Sequence, residues 1–329
     1  MLFNYGVEVR RSSSNKQTVD SRRRSGQLIS LYRGIYIPTD LVGAERQWLA
    51  RLQAAIIRAG PGSAASHRAA ARLHGLDGFD GADDRYIDVI TPMTSTARGL
   101  WVARTRTLTE ADITAVNQMA VTSLERTLFD LGSKVSMSLL ELALESALRG
   151  GDSDQPDVWN EALLALLTTR CRGATARTGA PALRRLLAER RVGARPTGSI
   201  VETMAMQALT NGGFAPFTQA RIQIVTKHRT TTYWTDLADL DSALVVEIDG
   251  LEGHGSSAAQ DRDHRRQNII TDALDVLRFS ATVVRTDSPT MVKAVMRRRA
   301  HLPIQPPTWV RGGFRIDRLD DGWRMTRFV

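Results

Sequence analysis

Apolar residues recur at helical spacing in several stretches of the chain. Trp48, Leu49, Leu52, Ile56 and Ile57 mark a helix from Ala44 to Ala59. Ser66 precedes a short helix, HRAAARLHGL, that stops near Gly75, and Thr122 or Ser123 is an N-cap candidate for LERTLFDLGSK. Ser136 to Leu148 is amphipathic, and Leu183, Leu186 and Leu187 stripe a further helical segment. From Ser199 a helix runs through Glu202, Met206 and Leu209 to Asn211-Gly212-Gly213, and Pro289 to Arg299 is the last helix expected. Strand patterns lie at 86–90, 100–102, 219–225, 232–238, 244–249 and 275–279. Leu28 to Ile37 reads as two strands around Arg33-Gly34, preceded by a short polar helix at Lys16 to Arg24. A helix followed by a two-stranded wing is the end of a winged helix-turn-helix.

The strand at 244–249 carries the chemistry. Leu244, Val246 and Ile248 share one face, while Val245, Glu247 and Asp249 share the other. A two-residue turn at Asp241-Ser242 sets Asp236 opposite Glu247, with Cβ atoms about 5 Å apart, where like charges repel. Three carboxylates gathered on a strand pair suit a hard cation such as Mg²⁺, which takes oxygen ligands. The alternative is an edge hairpin whose acidic face is solvated.

Charge and composition narrow the function. The 329 residues are 42% hydrophobic, enough for sizeable cores, and carry a net charge of +9, mostly as arginine. Such a chain prefers polyanions, and arginine suits bidentate phosphate and base contacts. The single Cys171 rules out an internal disulfide framework and a cysteine-based zinc site. No signal peptide and no membrane-length apolar run is seen, so a cytoplasmic protein without membrane attachment is expected. His67, His74, Arg126 and Asp130 serve no recognisable chemistry in their spacing and are read as structural.

The expected class is α/β and multidomain. Residues 1–42 form a winged-helix-like DNA-binding module, with seven Lys/Arg in the first 40 residues against Glu8, Asp20 and Asp40. Residues 43–150 form an α/β domain. Residues 151–198 are a basic helical connector, with eight arginines between 165 and 199 against Glu189. Residues 199–300 form an α/β core with a mixed sheet, and residues 301–329 are a tail that pattern does not place.

Two family resemblances rest on these residues. Glu202, the TDLA around Asp236, VVEIDGLEGH from Val245 to His254, RDHRR around Asp263 and VLRF from Val276 come in a specific order. In that order they resemble the very-short-patch-repair-like (Vsr-like) branch of the PD-(D/E)XK nucleases. The resemblance implies a restriction-endonuclease-like core that cuts a DNA phosphodiester with Mg²⁺ or Mn²⁺. It implies Asp236, Glu247 and Asp249 as the metal positions, with Glu202 reaching the metal through water. His254 would protonate the leaving oxygen or orient water, with Asp263 in support. Asp249 stands where the superfamily's catalytic lysine stands, and Ala273-Leu274 replaces the glycine expected before the last strand.

The N-terminal half resembles AbiEi-type antitoxins through YRGIYIP at 32–38, SHRAAARLHGL at 66–76 and VTSLERTLFDL at 121–131. Those proteins join a winged helix to an α/β domain and repress their own operons. DNA-contact candidates are Lys16, Arg22, Arg23, Arg24 and Arg33, together with Arg265 and Arg266 on a helix expected near Asp261. Two functions follow. One is a metal-dependent DNA endonuclease in repair, restriction or phage defence. The other is an AbiEi-like repressor with an inactive nuclease-like domain and a cognate toxin as partner. A homodimer is compatible with both.

Overall fold

The computed structural model describes residues 4–10, 15–81, 87–92, 100–104, 108–150, 159–173, 179–250 and 269–328. The chain divides into two compact units, Met1–Ala143 with Ala162–Arg185 and Leu144–Glu161 with Leu186–Val329.

The first unit begins with β1 (Glu8–Val9), α1 (Lys16–Arg24), β2 (Leu28–Tyr32) and β3 (Ile35–Pro38), the three strands forming an antiparallel sheet in the order β1-β3-β2. The turn between β2 and β3 needs a left-handed residue, and Gly34 supplies it at φ +79. Val19 on α1 packs with Leu28 and Tyr36. The helix and hairpin expected at 16–37 are both present.

Next come α2 (Ala44–Ala59), β4 (Ala64–Ala65), α3 (His67–Leu73), β5 (Ile87–Thr91), β6 (Leu100–Arg104), β7 (Ile113–Val116), β8 (Met119–Thr122) and α4 (Leu124–Leu131). Their five strands pair in the order β6-β5-β4-β8-β7. Trp48, Leu52, Ala70, Val89 and Val121 fill the core between helices and sheet. Ser123 caps α4 by accepting the Arg126 backbone N–H at 3.3 Å. Helices α5 (Met137–Arg149), α6 (Glu161–Gly173) and α7 (Ala180–Glu189) follow, and both α5 and α7 contribute to each unit.

The second unit is built on one mixed sheet. After α8 (Ile200–Asn211) come β9 (Phe217–Val225), β10 (Thr230–Asp239), β11 (Leu244–Asp249) and β12 (Asp275–Ser280). Neighbours are antiparallel from β9 to β11, whereas β11 and β12 run parallel. Helical residues 269–273 lead into β12, and α9 (Ala281–Thr286) and α10 (Ser288–His301) follow it. The helix expected at 289–299 is α10, and the short α9 before it was not expected. Asp287 caps α10 through the Thr290 N–H, and Pro289 fits the first turn, where no backbone donor is needed.

Residues 301–329 also have a place. They form β13 (Thr308–Arg311), β14 (Phe314–Leu319) and β15 (Gly322–Arg327), which extend the sheet to seven strands in the order β12-β11-β10-β9-β15-β14-β13. Ile222, Val245, Leu274, Ile316 and Trp323 pack on one side. Leu209, Leu237, Val246, Val284 and Met291 pack on the other, under α8, α9 and α10. Among the described residues no helix is long and apolar enough to cross a membrane.

Candidate functional site

The β10–β11 hairpin closes through residues 240–243, and Asp239 organises that loop. Its carboxylate accepts the Asp241 N–H at 3.2 Å, the Ser242 hydroxyl at 2.9 Å and Arg299 Nε at 2.6 Å. Ala243 adopts φ +55, and its carbonyl accepts the Asp275 N–H at 3.0 Å. The register is Asp239 to Leu244, Ala238 to Val245 and Leu237 to Val246. One further step sets Asp236 opposite Glu247, the placement expected of a two-residue turn. The loop is longer than that, but an even number of loop residues keeps the same pairing.

Asp236 is fixed against β11, where its Oδ2 accepts the Ile248 backbone N–H at 2.6 Å. Toward β9, the pairs Thr235 to Ala220 and Leu237 to Thr218 bracket Asp236 and Gln219. Gln219 has φ +51, a left-handed conformation uncommon for a non-glycine residue and rarer still inside a strand. Its Nε2 donates to Glu202 Oε2 at 2.9 Å.

Glu202 is buried at the start of α8. Its carboxylate also accepts the Gly198 N–H at 2.6 Å and the Ser199 hydroxyl at 2.9 Å, while Ser199 Oγ accepts the Glu202 N–H. The S-x-x-E arrangement resembles a capping box, with the glutamate reaching one residue beyond the cap. Desolvation pushes the Glu202 carboxyl above the usual range, against the hydrogen bonds from Gly198, Ser199 and Gln219 and the charge of Arg149. The preceding loop is braced from α5, where buried Glu145 pairs with Arg190 and accepts the Thr197 N–H at 3.1 Å.

The pKa direction has a measurable consequence. A carboxyl whose pKa rises on folding binds its proton more tightly in the folded state. Its contribution to stability is therefore full below the ordinary glutamate range and is lost as pH rises through the folded value. Thermal melts of wild type and Glu202→Gln between pH 5 and 8 should show the wild type losing ground to the variant as pH rises. Parallel melting curves across that range would refute it.

The Asp249 side chain is 51% exposed and its Oδ1 pairs with Arg278 Nη2 at 2.9 Å. The parallel register places Arg278 beside Glu247, within reach of Asp249. Of the three expected metal ligands, Asp236 and Glu247 lie on the paired strands β10 and β11, one step beyond the last paired residues Leu237 and Val246, and Asp249 is in an ion pair. Glu202 is linked toward them through Gln219.

Among the described residues no three His, Cys, Asp or Glu side chains converge to hold a metal. Two facing carboxylates still fit Mg²⁺, which keeps much of its water and uses one or two carboxylates together with substrate phosphates. His254, Asp263, Arg265 and Arg266 lie outside the described residues. Two other acids of the stretch are structural, Asp239 in the hairpin loop and Asp241 paired with Arg318 at 2.7 Å.

In the first unit Lys16, Arg23, Arg24 and Arg33 are exposed, whereas Arg22 is tied to Glu8 and Gln27. His74 Nε2 sits 2.7 Å from the Thr122 carbonyl, and Arg126 pairs with Asp130 at 2.9 Å. Buried His67 lies 3.0 Å from Ser66 Oγ, and burial pushes its pKa down to about 4. Gln219 and Arg278 were missed in the sequence. The left-handed backbone of the first has no sequence mark, and the second is found only from the pairing of β11 with β12.

No protein-family model matches this chain, and none of the curated proteins matches it.

Proposed function

We propose that the chain is a Mg²⁺- or Mn²⁺-dependent DNA endonuclease with its hydrolytic site on β10 and β11. The observation that carries this reading is the Ile248 N–H holding Asp236 against β11, in a register that continued one step would set Asp236 opposite Glu247. Two anions held that close are stabilised by a cation between them and repel without one. The element order supports the same reading. Helix α8, three antiparallel strands, helical residues 269–273 and parallel β12 follow the order implied by the resemblance to very-short-patch-repair-like nucleases.

A divalent ion, when bound, would neutralise phosphate charge and acidify the attacking water. Asp236 and Glu247 would supply its protein oxygens, and Glu202, acting through Gln219, would hold β9 against Asp236. In the first unit, exposed Lys16, Arg23, Arg24 and Arg33 suit a DNA backbone.

The Asp249–Arg278 pair favours a second reading, an AbiEi-like repressor whose nuclease-like unit no longer cuts. A lysine at that position would be a catalytic cation, whereas here the nearest cation is already neutralised by Asp249.

The test is to incubate the full chain with supercoiled, linear and single-stranded DNA in Mg²⁺ or Mn²⁺, with EDTA as control. Strand breaks that require the metal are expected. Intact DNA of every form in both metals would overturn the enzyme and leave the repressor.

A further inference from the structure

The strands formed by residues 308–327 place arginines on a sheet face that neither hydrophobic core uses. On β14 and β15, Phe314, Ile316, Trp323 and Met325 turn into the core. Alternation sends Arg315 and Arg324 to the opposite face, where both are exposed. Register orders the charges across the sheet. Arg315 pairs with Thr326, Arg324 with Asp317 on one side and Gln223 on the other, and Arg221 with both Gly322 and Trp234.

Arg315, Arg324 and Arg221 therefore descend a diagonal from β14 through β15 to β9. Each step crosses one strand and two residues, about 8 Å from the strand spacing and rise. Beyond Arg221 the next strand carries Trp234, with the Arg195 guanidinium 3.9 Å from its ring. Four arginines face two carboxylates here, Asp317, bonded to Arg315 at 3.2 Å, and Asp321, bonded to Arg221 at 2.9 Å.

We propose that this arginine diagonal is a docking track for the phosphate backbone of a nucleic acid, running across the outer strands of the sheet. The charge complementarity selects a polyanion, and duplex DNA offers one phosphate per ~3.4 Å of axis on each strand. Arginine's planar fork matches phosphate oxygens, and Thr326, opposite Arg315, and Thr232, opposite Gln223, add hydroxyl donors. The inference rests on the nucleic-acid reading of the protein and not on cleavage.

The experiment measures duplex DNA affinity of the full chain in EDTA, from 50 to 300 mM salt. In Arg315→Ala/Arg324→Ala the slope of log K against log salt should fall by about 2, roughly 0.9 per lost contact, and affinity at 100 mM salt by about tenfold or more. The double lysine variant should keep most of the slope, since lysine retains the phosphate-binding charge. If the alanine pair melts below wild type, the double glutamine variant, which keeps the stems, takes its place.

A variant with wild-type slope and affinity overturns the track. So does a wild type that holds polyglutamate as tightly as DNA. A wild type that cuts no DNA while the variants lose slope and affinity as expected would instead count against the Asp236 site alone.

Discussion

Asp236→Asn should cut DNA at least about a hundredfold more slowly than wild type in saturating Mg²⁺, while melting no lower. Asparagine keeps the shape and an acceptor oxygen for the Ile248 N–H, now 2.6 Å from Asp236 Oδ2. What it loses is the negative charge facing Glu247. A single preorganised electrostatic group at a reacting centre is typically worth 10²–10³ in rate. Asp236 is also the residue common to both neighbours, bracketed against Gln219 on β9 and in line with Glu247 on β11. Relieving the repulsion between facing carboxylates should leave stability unchanged or slightly higher. That combination separates chemistry from folding, because a purely structural aspartate would lose both together. Nicking of supercoiled plasmid under single-turnover conditions, with melts alongside, gives both readouts. An Asn variant that nicks at the wild-type rate would remove Asp236 from the site.

The β10–β11 register was legible in the sequence because both facts that fix it are local. Alternation from Leu244 to Asp249 fixes which side chains share a face, and the short loop after Asp239 fixes the register. The fate of Asp249 was not legible in that way. Its partner Arg278 lies on β12, 29 residues away, and which residue of a parallel neighbour stands alongside depends on the crossover and not on local pattern. Gln219 fails for another reason. Nothing in the side chain of a glutamine marks a φ of +51, as a glycine or asparagine would. The start of the last helix was readable, since a capping acid two residues before a proline is a start signal, whereas α9, only six residues long, is too short for its apolar spacing to mark. The last strands were readable only in part. Phe314 and Ile316 alternate with charged residues, as do Trp323 and Met325, and Gly312-Gly313 and Asp320-Asp321 mark the turns. Their attachment to the sheet comes from β15 lying parallel to β9, about a hundred residues earlier, and local sequence holds no trace of that pairing.

That attachment sets the second large effect. Trp323→Ala should destabilise the second unit by about 3–5 kcal/mol, the usual range for emptying a buried aromatic site. For a unit of this size, each kcal/mol lowers Tm by about 2–4 °C. Trp323 is 0% exposed and lies on β15, which bonds to β14 on one side and to β9 on the other. Its ring packs in the cluster holding Ile222 and Ile316, so truncation opens a cavity on the axis that joins the last strands to the rest of the sheet. The indole Nε1 has no hydrogen-bond partner among the described residues, and a buried unsatisfied donor itself costs stability. Trp323→Phe keeps most of the ring burial and removes that donor, so it should lie within about 1.5 kcal/mol of wild type. If the last strands were an independent appendage, the alanine variant would melt with the wild type. If they complete the sheet, Tm falls steeply, and the loss extends to Arg324, whose outward position depends on its neighbour Trp323 being anchored inward.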